Sequence, residues 1–436
     1  MTKMSNALTA ELYRRINALP IVDIHTHVEW KTGTAASIGD ILSYHYYTEL
    51  TNSAEFQGGV FPFGKPEELT QQVMRKLPFI HNTVQYDWLM TISREYLGIA
   101  PSEWRVENWR AIFDRSVKIM GRPEWRQEMI QKSNIVRVFL TNQFYDDLEG
   151  LDASFYSPCL RTEPFILWID RPEEREAMGT FLGRPIRTTA DFVAAIDKTF
   201  VKFTSHGMGY AAMSIPSNFK TYEVAVEDAQ RVLDKAIAGT PLDCCERELW
   251  GAYAMDRMCD ACLKFDRPFH LMIGVNRDVY EHGVPAGQDL FDSVNSMAGY
   301  EHILNKYVDV KFPTAVLADT SGLELTAASW IRHNVFPSGH WWYSNQPTDI
   351  AREVERRINA VPQNKIIGYF SDAYYLEFVL PKFRMYKFEL AKALANRMER
   401  SLIHPNMEPF TLDDAMILAE KMLVKNPAEI IGIPGL

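Results

Sequence analysis

The stretch Ile21-Val22-Asp23-Ile24-His25-Thr26-His27 decides the reading of this chain. Three β-branched apolar residues within four positions make it a short buried strand, and the chain then ends that strand on two histidines. Side chains alternate along a strand, so His25 and His27 point the same way and present two imidazoles together. Seven further runs have the look of buried strands: Asn134 to Thr141, Pro164 to Asp170, Gly209 to Pro216, Pro268 to Val275, Thr314 to Asp319, Val335 to Trp342, and Lys365 to Asp372. Segments of helical spacing stand between the later ones, at Tyr222 to Ile237, Arg247 to Phe265, Leu290 to Tyr307 and Ile350 to Ile358. Strands that alternate with covering helices imply a parallel sheet, and eight of them match a closed (β/α)8 TIM-type barrel better than an open sheet. An open doubly wound sheet would carry a glycine-rich phosphate loop after its first strand, where DIHTH stands instead.

Active sites of such barrels lie at the C-terminal ends of the strands. Asp372 closes the eighth run as His25 and His27 close the first, and strands one and eight are neighbours in a closed barrel. Two imidazoles and a carboxylate converging there suit a divalent ion, zinc first and manganese second, with positions left open for water or substrate. His270 shares a strand face with Met272 and Gly274 and is read either as a lower-layer core residue or as part of the site. His340 lies near the end of the seventh run, next to Trp341 and Trp342. Tyr44, His45 and Tyr46 fall on a helix after strand one, from which one or two of them can face the site.

The 436 residues are read as one metal-dependent barrel domain, 1–436, with two additions. A helical insertion at 37–132 carries Tyr44, Tyr46, Tyr47, Phe61, Phe63, Trp88, Trp104 and Trp109 and is expected to cap the open end of the barrel. A C-terminal helical extension, 376–436, includes helical runs at Leu376 to Arg400 and Thr411 to Val424. A net charge of −10 without a long basic run argues against a nucleic-acid partner and suits an enzyme of small molecules. No apolar run reaches the length of a membrane span, and five cysteines are too few for a disulfide framework, so a soluble, cytoplasmic protein is expected, in which a homo-oligomer is compatible. Cys259 and Cys262 form a lone C-x-x-C in a helical stretch and are read as packed.

The segments PIVDIHTHVEW, LSYHYYTEL, TNQFYDDLEG, YAAMSIPSNF, PFHLMIGVNRDV, GHWWYSNQP and YFSDAYYLEFVLPKF run in order from residue 20 to about 383. With the H-x-H strand, the late S-D-A and the ending NPAEIIGI, they resemble the uronate isomerase family of the amidohydrolase superfamily. The resemblance implies aldose to ketose isomerisation of D-glucuronate to D-fructuronate, or of D-galacturonate to D-tagaturonate. It implies a metal on His25, His27 and Asp372, Asp372 also acting as base, and Tyr46 assisting ring opening or proton movement. Such proton transfer uses no nucleotide cofactor, and no nucleotide-binding signature is present.

The chain also departs from the family pattern. Tyr374 stands where the family has an arginine two residues after the late aspartate, Trp168 stands in LWID where it has R-L-D, and Asp319-Thr320-Ser321 replaces R-E-N or R-D-N. Trp168, Tyr374, Trp341 and Trp342 suit stacking on a neutral sugar or another uncharged ligand, and a uronate's carboxylate is left to Arg171, Arg277 or the insertion. The alternative reading is therefore a hydrolase, lyase or isomerase of the same superfamily acting on a less anionic, sugar-like substrate.

Overall fold

The computed structural model describes residues 3–54, 62 and 64–433; Phe61 and Phe63 lie outside the described residues. The strands are β1 (Ile21–Asp23), β2 (Ile135–Phe139), β3 (Tyr156–Ser157), β4 (Leu160–Arg161), β5 (Ala211–Ile215), β6 (Phe269–Ile273), β7 (Val275–Asn276), β8 (Leu290–Phe291), β9 (Phe312–Val316) and β10 (Val335–Pro337). Parallel pairing runs β1-β2-β3 and, separately, β4-β5-β6-β9-β10, and a bridge between Asn142 and Leu160 joins the two sheets. Segment 366–373 returns the order to its start. Ile367 bridges Ser338 beyond β10, while on its other side the Asp372 N–H donates to the His25 carbonyl at 3.0 Å and the His27 N–H to the Ala373 carbonyl at 2.8 Å. Between them the Ser371 N–H donates to the Asp23 carboxylate at 2.9 Å, so a side chain stands in for a ladder partner. This substitution leaves the eighth position extended without making it a regular strand.

Two of the expected strands are displaced. The run Pro164–Asp170 is not a strand: Glu163–Ile166 is a helical turn opened by Pro164, a residue suited to the first turn because it has no N–H to leave unpaired. The third position of the ring is instead β3 and β4, and the Thr162 hydroxyl extends it by donating to the Ala212 carbonyl at 2.9 Å. Phe165 and Ile166, taken as strand residues for their apolar character, are buried in a core cluster with Trp250 and Phe192. The sixth strand begins at Phe312 and Asp319 already opens the helix Asp319–Ile331; the seventh stops at Pro337. Within the stretch expected as the helix Leu290 to Tyr307, β8 pairs antiparallel with β7, and only Met297–Tyr300 and Glu301–Lys306 are helical.

The stretch 37–132 is helical at Ile38–Leu42, His45–Ser53, Pro66–Lys76, Val84–Ile92, Trp109–Met120 and Trp125–Ser133. Ser37 caps the first of these in a capping box with Asp40, which starts the helical path directly after the loop that carries His25 and His27. In the tail, Val379–Ile403 packs against Lys3–Asn17 and Pro347–Ala360. Cys259 and Cys262 are buried on the helix Cys244–Phe265. Among the described residues no helix is long and apolar enough to cross a membrane.

Candidate active site

β1 ends at Asp23, and the next residues stay extended because the Thr26 N–H donates to the Phe139 carbonyl at 2.9 Å. That geometry carries His25 and His27 to the C-terminal mouth of the ring. Asp372 meets them from the adjoining segment 366–373, with a φ of 53° in the left-handed region. His25 Nε2 and His27 Nε2 stand 3.5 and 3.3 Å from Asp372 Oδ1, and the three ligand atoms lie within 4.8 Å of one another. Asp372 Oδ1 is sealed from solvent and makes no hydrogen bond of proper geometry.

The hydrogen bonds behind His25 fix its tautomer. The Tyr210 hydroxyl donates its only proton to the Ile24 carbonyl, so it accepts at 3.2 Å from His25 Nδ1. Nε2 is then the bare nitrogen, and it faces a carboxylate oxygen. Burial foremost, with the neighbouring His27, pushes the His25 pKa down to about 3, so this imidazole is neutral. Burial works to raise the Asp372 carboxyl, but His27, His25 and Lys382 together hold it below the usual carboxylate range. The bare His25 nitrogen and the Asp372 carboxylate converge with no proton between them, His27 adds a second imidazole beside them, and two imidazoles with one carboxylate fit a divalent ion.

Behind Asp372 the supports are short. Tyr44 donates to the Asp372 carbonyl at 2.6 Å, and Tyr46 donates to Asp372 Oδ2 at 3.2 Å. Lys382, fully buried, donates to the Tyr44 hydroxyl at 2.9 Å and to the Ser371 carbonyl at 2.7 Å, with its ammonium over the rings of Tyr44, Tyr46 and Trp88.

In front of this cluster lies a cavity of about 150 Å³ lined by His25, His27, Asp372 and Tyr374, with Trp341 and Trp342 in its wall. Tyr374 stacks on His27 at 4.9 Å. His45 also lines the cavity; its Nε2 has no partner and burial pushes its pKa down to about 3. Adjacency to Tyr46 on one helix was the signal for it. Tyr46 itself reaches the site only through Asp372, and it borders a separate cavity with Glu49 and Tyr343.

Three expected substrate residues stand elsewhere. Trp168 lies outside the cavity wall, next to Arg161 and Arg171, whose guanidinium carbons are 5.8 and 4.6 Å from its ring centre. Arg171 precedes the helix Pro172–Leu182 and is outside the wall as well. His270 is a fully buried lower-layer residue packed on His25, Tyr210 and Phe370. The shift of the third strand explains the first two: the residue at the strand end is Arg161, on β4, and Arg161 lines the cavity with Glu163. Arg277 lines it too, just after β7. The cavity therefore holds two guanidinium groups despite the loss of the arginine at position 374.

Residues 2–412 match the family model described as glucuronate isomerase. A uronate isomerase of Corynebacterium efficiens is 26% identical over 261 residues, which are 53% of this chain and 55% of that relative, so the chain spans about half the length of the curated relative it matches. A uronate isomerase of Thermotoga maritima superposes with a TM-score of 0.86 at 18% identity, over 98% of this chain and 97% of that one. For the glucuronate isomerase of Caulobacter crescentus the values are 0.87 and 15%, over 100% and 95%. These likenesses extend over the full ring and give it the TIM-type barrel fold, and the match of the family model over nearly the whole length decides the family. The chain belongs to the glucuronate isomerase family.

Proposed function

We propose that this protein is a uronate isomerase that interconverts an open-chain hexuronate aldose and its ketose, D-glucuronate with D-fructuronate or D-galacturonate with D-tagaturonate. The observation that carries the reading is a single cavity in which the His25, His27 and Asp372 cluster faces the guanidinium groups of Arg161 and Arg277. A hexuronate has complementary ends, a carbonyl with its neighbouring hydroxyl at one and a carboxylate at the other.

Arg161 and Arg277 hold the carboxylate, since a guanidinium matches that group with charge-assisted hydrogen bonds. A divalent ion on His25, His27 and Asp372, zinc in our reading, would polarise the sugar's carbonyl and hydroxyl oxygens and so acidify the C2 proton. Asp372, ionised and oriented by Tyr46, takes the C2 proton and returns it to C1. His45, neutral and with no hydrogen-bond partner on its Nε2 at the cavity wall, carries the hydroxyl proton between O2 and O1. The net change moves one hydrogen from C2 to C1 and one from O2 to O1, and it uses no redox or nucleotide cofactor. Trp341, Trp342 and Tyr374 wall the cavity and exclude water from this transfer. We read the 37–132 insertion as the element that supplies Tyr44, His45 and Tyr46 to a barrel acting in the cytoplasm on a small-molecule sugar.

The test is ketose formation from D-glucuronate and D-galacturonate by purified, zinc- or manganese-replete protein, with an Asp372→Asn variant as control. Turnover that the variant loses supports the reading. Absence of ketose from both sugars, with folded and metal-replete protein, overturns it.

A further inference from the structure

Both cavity arginines already have a carboxylate partner in the same cavity wall, and the two pairs differ. Arg161 lies 3.2 Å from Glu163, a buried residue that also accepts the Ser214 N–H at 3.2 Å, so this pair is part of the barrel wall. Arg277 and Asp289 face each other across the base of a hairpin, Arg277 just after β7 and Asp289 just before β8. Asp289 is the fixed member. Its Oδ1 accepts the Asp278 N–H at 3.0 Å, the Tyr343 hydroxyl donates to its carbonyl at 2.7 Å, and its side chain is 10% exposed. Arg277 is the free member, with its side chain 43% exposed and its guanidinium carbon 5.7 Å from the centre of the Trp342 ring.

We propose that Asp289 is a specificity-determining residue that holds Arg277 in reserve and is exchanged for the substrate's carboxylate. The inference rests on the uronate reading above. A sugar acid entering the cavity meets Arg277 already neutralised, and its carboxylate must replace that of Asp289. The Trp342 ring keeps the guanidinium at the wall during the exchange. Once released, Asp289 Oδ2 is a free acceptor beside the bound carboxylate, placed to take a sugar hydroxyl. The pair thus selects a carboxylate together with a hydroxyl, while a carboxylate alone would leave Asp289 Oδ2 without a partner. A neutral sugar has nothing to offer Arg277 and leaves the pair as it stands.

Asp289→Asn removes the competing charge and keeps an oxygen for the Asp278 N–H; Arg277→Gln removes the anchor. Calorimetric titration of the metal-replete proteins would use L-gulonate, which is D-glucuronate with its aldehyde reduced, and D-glucitol, its neutral counterpart. Neither isomerises, so the measurement is independent of turnover. Asp289→Asn is expected to bind L-gulonate about threefold tighter or better, and Arg277→Gln to bind it at least about tenfold more weakly, with D-glucitol unchanged in both. Equal shifts for the two ligands, an unchanged L-gulonate affinity in Asp289→Asn, or no L-gulonate binding in any of the three proteins would overturn the inference. If the shifts hold while the wild type fails to isomerise D-glucuronate, the isomerase reading fails and the exchange of partners stands.

Discussion

His25 Nε2 stands 3.5 Å from Asp372 Oδ1, and the hydrogen bond from His25 Nδ1 to Tyr210 leaves no proton between them. Two lone pairs buried face to face repel unless a cation lies near both. A His27→Ala or Asp372→Ala protein, purified alongside the wild type and analysed for metal by mass spectrometry, is therefore expected to retain less than about a tenth of the wild-type content, since one of only three protein ligands is lost. Tyr210→Phe removes the partner that fixes the tautomer. It is expected to weaken metal affinity by about 10- to 100-fold, the range for supporting partners of a metal-bound histidine. Full metal content in the Asp372 variant would remove the cluster from consideration as a metal site.

Arg161 lines the cavity, whereas Trp168, expected from the sequence as a substrate residue, packs behind it. Arg161→Gln is expected to raise KM for a uronate by at least about tenfold, because a charge-assisted hydrogen bond to a carboxylate is worth about 1.5–3 kcal/mol. Trp168→Phe keeps a ring beneath Arg161 and Arg171, and KM is expected to stay within about twofold. Steady-state kinetics on both variants discriminate the two assignments, and a large KM effect confined to Trp168 would restore the earlier one.

The cluster of His25, His27 and Asp372 was legible because each part of it follows from a short-range rule. Alternation puts His25 and His27 on one side, and a strand-terminal Asp372 lands next to them once the ring is closed. The third strand was not legible, since the apolar run PFILWID has no period that separates a buried strand from a buried helical turn, and the true strand is interrupted at Pro158 and only two residues long on either side. That one shift is why Arg161, rather than Trp168, lines the cavity at the end of the third strand. The Asp23 carboxylate acting as a ladder partner for Ser371, and the left-handed φ of Asp372, depend on tertiary contacts that no local pattern encodes.

Lys382 joins the helix Val379–Ile403 to the site through Tyr44 and Ser371. Lys382→Met keeps the volume but leaves the Ser371 carbonyl without its donor, a cost of about 1–3 kcal/mol for a buried acceptor. It also frees Tyr44, whose hydroxyl positions the Asp372 backbone. The expected outcome is a lower midpoint in urea unfolding together with a kcat reduced by about tenfold or more, and Tyr44→Phe should reproduce the kcat loss with less effect on stability. If Tyr44→Phe retains full kcat, the chain of bonds from Lys382 to Asp372 does not serve catalysis.

Glu377 gives a pH signature unconnected with the cavity. It is fully buried, accepts the Trp125 indole N–H at 2.7 Å and the Ala35 N–H at 3.0 Å on one oxygen, and has no partner on the other. Burial pushes its pKa up to about 7, against which those two hydrogen bonds work only in part. The folded chain then keeps a proton that the unfolded chain gives up above the ordinary glutamate range. Below that range both states are protonated and the group is neutral to stability. As pH rises toward about 7, unfolding releases a proton and stability falls, levelling off once the folded state also ionises. The full span is on the order of 3 kcal/mol. Glu377→Gln removes the titration while keeping the accepting oxygen, so the unfolding midpoint of the variant relative to wild type should climb from pH 5 to pH 8 and then stay flat. A difference between the two that does not change with pH would show that Glu377 is ionised in the folded protein throughout.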